Sequence, residues 1–549
     1  MNTMDDGRSG WLRYGITRRN VLLAGGAFAL GARGVLAQGA ATPMPAVSNP
    51  VPSSAALQWP LYGHDLTGGR ATDAAGIDTG TVADLGPLWQ VEIGGAVSAT
   101  PVISDGTVFI GSYVGTLDAI DLQTGGVLWT YDTGAAVEEP NLKIPLGITG
   151  SAAVDSGVVY LGDAAATVHA IDQETGTAIW KTVVDDQPQA SIWSSPMIAG
   201  GTVFVGVASV AKEVGFRGSV VALDATDGTV RWQTFMVPEG ADGAGVFAVP
   251  AIDEARGMLY VGTQNAYTAN PAPYGNPVSI VALDIASGDV AWAFNAPPGG
   301  GDSAPTDDVA FSASPNLFTV EIDGASRDLV GEGQKSGDYW ALDRDTGEVV
   351  WQAMVSPAGF LGGMEGTSAA SAGVIAVPAT NWPDFNGPAK GMVTALDAAS
   401  GEVIWTVDQD APAASPVAIS GDLVFHAGMD GILHAYVLTS GEEVWSYDLD
   451  ASVSGGIAVA DGIIVLGAAT PQIASFVKPG NMIRAFGLQT VPISATPEVA
   501  TPVPAPATPP VVPATPEPSA PATPPPGTPT PTPPEATPIA TPVGGTPVV

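Results

Sequence analysis

Apolar residues along this chain come in short runs that end on small residues, and helical spacing is absent. The runs "GTVFIGS" at 106–112, "GVVYLGD" at 157–163 and "GTVFVGV" at 201–207 are rich in β-branched and aromatic residues and bounded by glycine. Such runs predict strands. After each comes one recurring phrase: "AIDLQTGGVLW" to Trp129, "AIDQETGTAIW" to Trp180, "ALDATDGTVRW" to Trp232, "ALDIASGDVAW" to Trp292, "ALDRDTGEVVW" to Trp351 and "ALDAASGEVIW" to Trp405. A degenerate copy, "AYVLTSGEEVW", ends at Trp445. Asp, Thr and Gly at fixed offsets predict a hairpin turn, with Asp bonding local backbone and Gly taking positive φ. The tryptophan that follows packs on the neighbouring unit.

Successive tryptophans lie 40 to 60 residues apart, the length of a four-stranded propeller blade. Seven copies precede an eighth set of strands, "GIIVLGA" at 462–468 and "MIRAFGL" at 482–488, which has no tryptophan of its own. The missing strand lies at the other end, "LGPLWQVEI" at 85–93. The pattern predicts an all-β fold: an eight-bladed β-propeller of four-stranded antiparallel blades over 58–488, closed by strand 85–93 pairing into the last blade and removing the open edge.

Composition narrows the function. With 18 Lys+Arg against 55 Asp+Glu, the formal charge is -37, which repels phosphate backbones and argues against nucleic acid. The sequence has no cysteine, so disulfides, c-type haem attachment and thiolate metal sites are excluded. Near the start, "ITRRNVLLAGGAFALGARGVLAQGA" sets Arg18-Arg19 before a mild apolar run and small residues at Val35-Leu36-Ala37. Residues 1–37 read as a twin-arginine export signal and 38–57 as a linker, with no stable membrane anchor, so the mature chain is expected in the periplasm, cell envelope or medium. Residues 489–549 are dominated by Pro, Thr, Ala and Val. They read as a disordered, partly polyproline tail.

The "AxDxxTGxxxW" phrase resembles the repeat of pyrroloquinoline quinone (PQQ) enzymes. So do "QWPLYGHDLTGG" at 58–69, "IWSSPMIAGGTVFVGVAS" at 192–209 and "LVGEGQKSGDYWALDRDTG" at 329–347. The subgroup it most resembles is the polyvinyl-alcohol-dehydrogenase-like branch. The resemblance implies a site shared between blades. Glu213, in "EVGFRG", matches the family's calcium-binding glutamate, and Asn265, in "VGTQNAY", its second metal ligand. Hard oxygen donors of this kind suit Ca²⁺. Arg217, in the same run as Glu213, is expected among the cofactor-binding residues with Phe247 and Lys335. Lys335, in "GQKSG", matches the cation that bonds the quinone oxygens and would stabilise negative charge there. Phe247, in "GAGVFAVPAID", falls where a stacking tryptophan is usual.

Two family features are altered. A chain without cysteine cannot form the vicinal disulfide that often covers one quinone face. In "TDDVAFSASPNLF", alignment on Phe311 puts Ala310 where the catalytic aspartate stands. Asp308 and Asp307, two and three residues earlier, are the candidate bases. Ser312 offers no further carboxylate, so the resemblance implies calcium rather than a lanthanide. Glu365, in "LGGMEGTSAA", is expected to face the central channel. His169 and His434, at one repeated strand position, are expected to pack structurally.

The resemblance therefore implies an exported quinoprotein dehydrogenase. It would oxidise a small or polymeric alcohol with PQQ and Ca²⁺, as a monomer passing electrons to a separate acceptor. A non-catalytic scaffold or binding propeller of the cell envelope is the alternative, because such proteins carry the same repeat.

Overall fold

The computed structural model describes residues 58–489 apart from 74, 139–143, 210–214, 267–274, 298–308, 358–361, 382–388 and 472–475, together with the strand Thr42–Pro43. Eight sheets, each built on four antiparallel strands that are consecutive in all but the last, form the blades of a propeller. Blades 1 to 7 span 102–132, 153–183, 197–235, 251–295, 316–354, 369–409 and 418–448. Blade 8 takes three strands from 457–488, and its fourth is Leu85–Glu92, which pairs antiparallel with Met482–Leu488. The closure expected from the sequence is present. Apart from one 3-10 turn at Val82–Asp84, the named elements are all strands.

The repeated phrase does two jobs at each blade junction. Asp121 accepts from the backbone N–H and the hydroxyl of Thr124, at 2.8 and 2.7 Å, and shapes the turn. The tryptophan ring of one blade then lies flat on the turn glycine of the next. The ring of Trp129 covers Gly176, and a Cβ there would meet it at 2.7 Å. Its indole N–H also donates to the Gln173 carbonyl at 3.1 Å. Trp89, Trp180, Trp232, Trp292, Trp351 and Trp405 repeat the arrangement on the following blade. At the remaining junction, Trp445 and Tyr447 pack edge-on against Phe486. No hairpin turn is there to receive the indole, because the last two strands of blade 8 come from opposite ends of the propeller.

The first strand of every blade is innermost, as the sheet orders require. Segment 59–72 threads across these strands. Its carbonyls at Trp59, Pro60, Leu66, Thr67, Gly69 and Arg70 accept N–H groups of Ile103, Val154, Ile252, Leu317, Ala370 and Ile419, which lie in blades 1, 2, 4, 5, 6 and 7. The segment thus follows the ring of innermost strands from blade 1 to blade 7 and lines the central channel. Arg70 is fully buried within it, over the Tyr62 ring.

The two repeat-position histidines are structural, as expected. His169 lies between Asp163 (2.9 Å) and Tyr131 (3.0 Å), and His434 between Glu443 (2.8 Å) and Asp430 (3.1 Å). Burial disfavours the charged form of His434, but its two carboxylates outweigh that and raise its pKa.

Candidate active site

The site is built where the chain enters each innermost strand. A residue there donates its N–H to a carbonyl at or just beyond the end of the second strand of the preceding blade. Val97, Ile148, Ile192, Val246, Phe311, Met364 and Val453 all do so. All seven side chains are fully buried, and the first six press on a glycine of that second strand. The residues that follow are Ser98, Thr149, Trp193, Phe247, Ser312, Glu365 and Ser454, equivalent places around one end of the channel. All but Thr149 are partly exposed.

Phe247 is therefore a ring residue, and its neighbour in the ring is Trp193. Their ring centroids are 5.2 Å apart, tilted by 38°, an aromatic ledge of the geometry such pairs favour. Trp193 was not expected as a site residue. Its place in "IWSSP" matches that of Phe247 in "VFAVP", and this is the signal that finds it. Its indole N–H is buried without a hydrogen-bond partner.

Lys335 lies on the turn after the second strand of blade 5. Only 5% of its side chain is exposed, and its ammonium sits 2.9 Å from a Glu365 carboxylate oxygen. Its backbone N–H donates to the Ala310 carbonyl at 3.0 Å. The amide of Gln334 donates to the Val309 carbonyl at 2.8 Å, and Val309 N–H donates to Asn265 Oδ1 at 3.3 Å. Asn265, Ala310, Lys335 and Glu365 thus form one connected cluster drawn from three blades. Ala310 is fully buried and presents only a methyl group. Ser312 accepts from Gln264 at 3.0 Å.

Glu213, Asp307 and Asp308 fall outside the described residues. Arg217 sets its guanidinium carbon 3.9 Å from the Phe235 ring centroid, toward the outermost strand of blade 3. Its backbone exchanges bonds with the Gln187 amide at 2.9 and 3.0 Å.

One acidic residue here carries no expectation from the sequence. Glu332 is fully buried, and neither carboxylate oxygen has a hydrogen-bond partner. Burial alone raises its pKa well above the usual glutamate range. It packs against Gly262, where a Cβ would overlap its carboxyl group. Equivalent second-strand positions hold Ile110, Leu161, Val205, Val261, Val377, His426 and Leu466. A carboxyl in a series otherwise aliphatic except for His426 is the sequence signal.

The donor set suits a planar, anionic quinone with a hard cation. It offers an aromatic ledge, a buried ammonium and a nearly buried Asn265 side-chain amide oxygen, a hard donor.

A family model described as glucose/ethanol/alcohol dehydrogenase, beta-propeller domain, matches residues 59–366. A second, described as outer membrane protein assembly factor BamB, matches 389–480. A polyvinylalcohol dehydrogenase of Pseudomonas sp is 30% identical over 366 residues, covering 59% of this chain and 55% of that protein. One from Sphingopyxis sp. (strain 113P3) is 29% identical over 404 residues, covering 65% and 60%. The chain thus spans 55% to 60% of the length of these curated relatives. Among solved structures, the quinohemoprotein alcohol dehydrogenase from Comamonas testosteroni superposes with a TM-score of 0.68 at 21% identity, covering 81% of this chain and 82% of that one. At that identity the likeness shows the fold. Among the described residues, no helix is long and apolar enough to cross a membrane.

Proposed function

Because the chain belongs to the glucose/ethanol/alcohol dehydrogenase β-propeller family, we propose that it is a quinoprotein-type dehydrogenase that oxidises an alcohol. PQQ and Ca²⁺ are its proposed cofactors, with electrons leaving to a separate acceptor. Export by the twin-arginine route, the domain limits given above and the monomeric state belong to the same reading. The observation that carries it is the buried Lys335 ammonium, paired with Glu365 and linked through the 309–310 and 334–335 backbone to Asn265.

The quinone, when bound, supplies a two-electron oxidant. The chain supplies the rest. Phe247 and Trp193 offer aromatic surface to a planar ring, and Lys335 offers a cation to oxygens that gain negative charge. Asn265 and Glu213 are the proposed calcium ligands. Arg217, over Phe235, is the further proposed cofactor-binding residue. Segment 59–72 lines the channel along the innermost strands. A carboxylate must take the hydroxyl proton, and the candidates are Asp308, Asp307 and Glu365. The similarity to polyvinylalcohol dehydrogenases makes a polymeric alcohol the first substrate to test beside simple alcohols.

The test is a titration of the purified protein with PQQ and Ca²⁺, following its thermal midpoint. A ligand that binds only the folded state raises the midpoint by mass action. A saturable rise is expected, lost on Glu213→Ala. No rise at high ligand concentration overturns the reading. It would favour the second reading, a non-catalytic envelope propeller, for which the observations are the Ala310 methyl and the match of 389–480 to an assembly-factor model.

A further inference from the structure

The oxidation proposed above removes a hydroxyl proton, and position 310 has no group to take it. We propose that Glu365, carried by the next blade, is the proton acceptor. The inference rests on the dehydrogenase reading and names a residue for its central step.

Position 310 and Glu365 meet the same cation. The Lys335 backbone N–H donates to the Ala310 carbonyl at 3.0 Å, while its ammonium lies 2.9 Å from Glu365 Oε1. A side chain at 310 would therefore start beside Lys335, and the carboxylate missing there is supplied from the other direction. Glu365 is also the only ionisable member of the seven equivalent residues around the channel mouth. The lysine side chain is 5% exposed and the glutamate side chain 30%, so the carboxylate is the half of the pair an entering hydroxyl can reach. Oε1 is engaged by Lys335, whereas Oε2 has no hydrogen-bond partner among the described residues.

The backbone beneath Glu365 is fixed. Met364 is fully buried against Gly333. The Thr367 hydroxyl oxygen accepts from Ser314 N–H at 3.1 Å and from the Tyr62 hydroxyl at 2.7 Å. A base held on packed backbone keeps its aim, as general-base catalysis requires. In the step, the alcohol O–H bond breaks and its proton goes to Glu365 Oε2. The C–H bond then breaks, its hydrogen leaving with the electron pair for the quinone oxidant, and the C=O bond forms. Lys335 stays protonated throughout.

The test measures quinone binding and turnover separately. Binding is read from quenching of tryptophan fluorescence by PQQ with Ca²⁺. Turnover is read with an artificial dye acceptor and a secondary alcohol. Glu365→Gln removes a negative charge next to Lys335, so the anionic quinone should bind at least as tightly as to wild type. Turnover should fall by roughly 100-fold or more, the range a positioned general base supplies. Structural damage would weaken both, so movement in opposite directions is the signature. Ala310→Asp added to Glu365→Gln should restore part of the turnover by returning a carboxylate to Lys335 from position 310. If Glu365→Gln misfolds, Glu365→Ser carries the same two readouts.

Retained turnover in Glu365→Gln with quinone bound, together with its loss in Asp308→Asn or Asp307→Asn, overturns the assignment and puts the base in the preceding loop. Failure of wild type to bind the quinone overturns the dehydrogenase reading and this inference together. The binding measurement tells the two failures apart.

Discussion

Glu332 occupies a place that six of the other blades fill with aliphatic side chains and blade 7 with His426. Cross-strand register sets it opposite Trp340, as Leu161 is opposite His169 and Leu466 opposite Arg484. Fully buried and without a hydrogen bond, its carboxyl is protonated in the folded protein over a range where the unfolded chain ionises, because burial raises its pKa. Between the ordinary glutamate pKa and the raised folded value, the folded state holds the extra proton. Stability then falls as pH rises across that window and is unaffected below it. Glu332→Leu removes both the titration and the unsatisfied group, and an unpaired buried polar group costs about 1–3 kcal/mol. The expected outcome is a higher unfolding midpoint at pH 8, a smaller gain at pH 4, and a flatter pH profile by thermal denaturation. Lys335, Asn265 and Phe247 were expected from the sequence because each matches a family motif. Glu332 and Trp193 become legible only when the blades are aligned with one another, since nothing in their immediate neighbours marks them.

The hairpin and its tryptophan are the unit that makes the blades count. Gly176 has φ +68 and touches the Trp129 ring, whereas Gly157 has φ +80 with open space where a Cβ would go. Alanine at either position meets the backbone penalty for a left-handed conformation, about 1 kcal/mol. Only Gly176→Ala must also push Trp129 away and strain its hydrogen bond to Gln173. Urea unfolding should therefore show Gly176→Ala to be the more destabilising by about 1–3 kcal/mol, the usual cost of overpacking. Equal losses would mean the junctions do not depend on this contact. The element was legible in the sequence for the same reason it is stable. Asp, Thr, Gly and Trp each have a separate physical task at a fixed offset, so the phrase survives in seven copies while the strands between them vary.

At the scale of the whole molecule, eight blades and their closure could be read from the chain, because an eighth blade without its last strand leaves an edge that strand 85–92 fits. The lining of the channel could not. Segment 59–72 is held through backbone carbonyls that any residue provides, so no periodicity records it. One side chain does. Arg70 donates to the carbonyls of Tyr62 (2.6 Å), Val417 (2.7 Å) and Ile457 (3.2 Å), and it lies 3.5 Å from the Thr100 hydroxyl. These partners belong to segment 59–72 itself, to the entries of blades 7 and 8, and to the approach to blade 1, where the ends of the propeller meet. Burial works against its charge, and the carbonyl oxygens and the Tyr62 face at 4.7 Å offset that cost. Arg70→Met keeps much of the volume but leaves three carbonyls without their donor, so it should cost about 3 kcal/mol or more. Arg231→Met, by contrast, breaks a partly exposed pair with Asp224 and should cost less than about 1 kcal/mol. In urea, the Arg70 variant should lose midpoint without loss of slope if the ring still unfolds as one unit. A lower slope, or two transitions, would instead mean that blades 7, 8 and 1 open ahead of the rest and that Arg70 holds the ring shut.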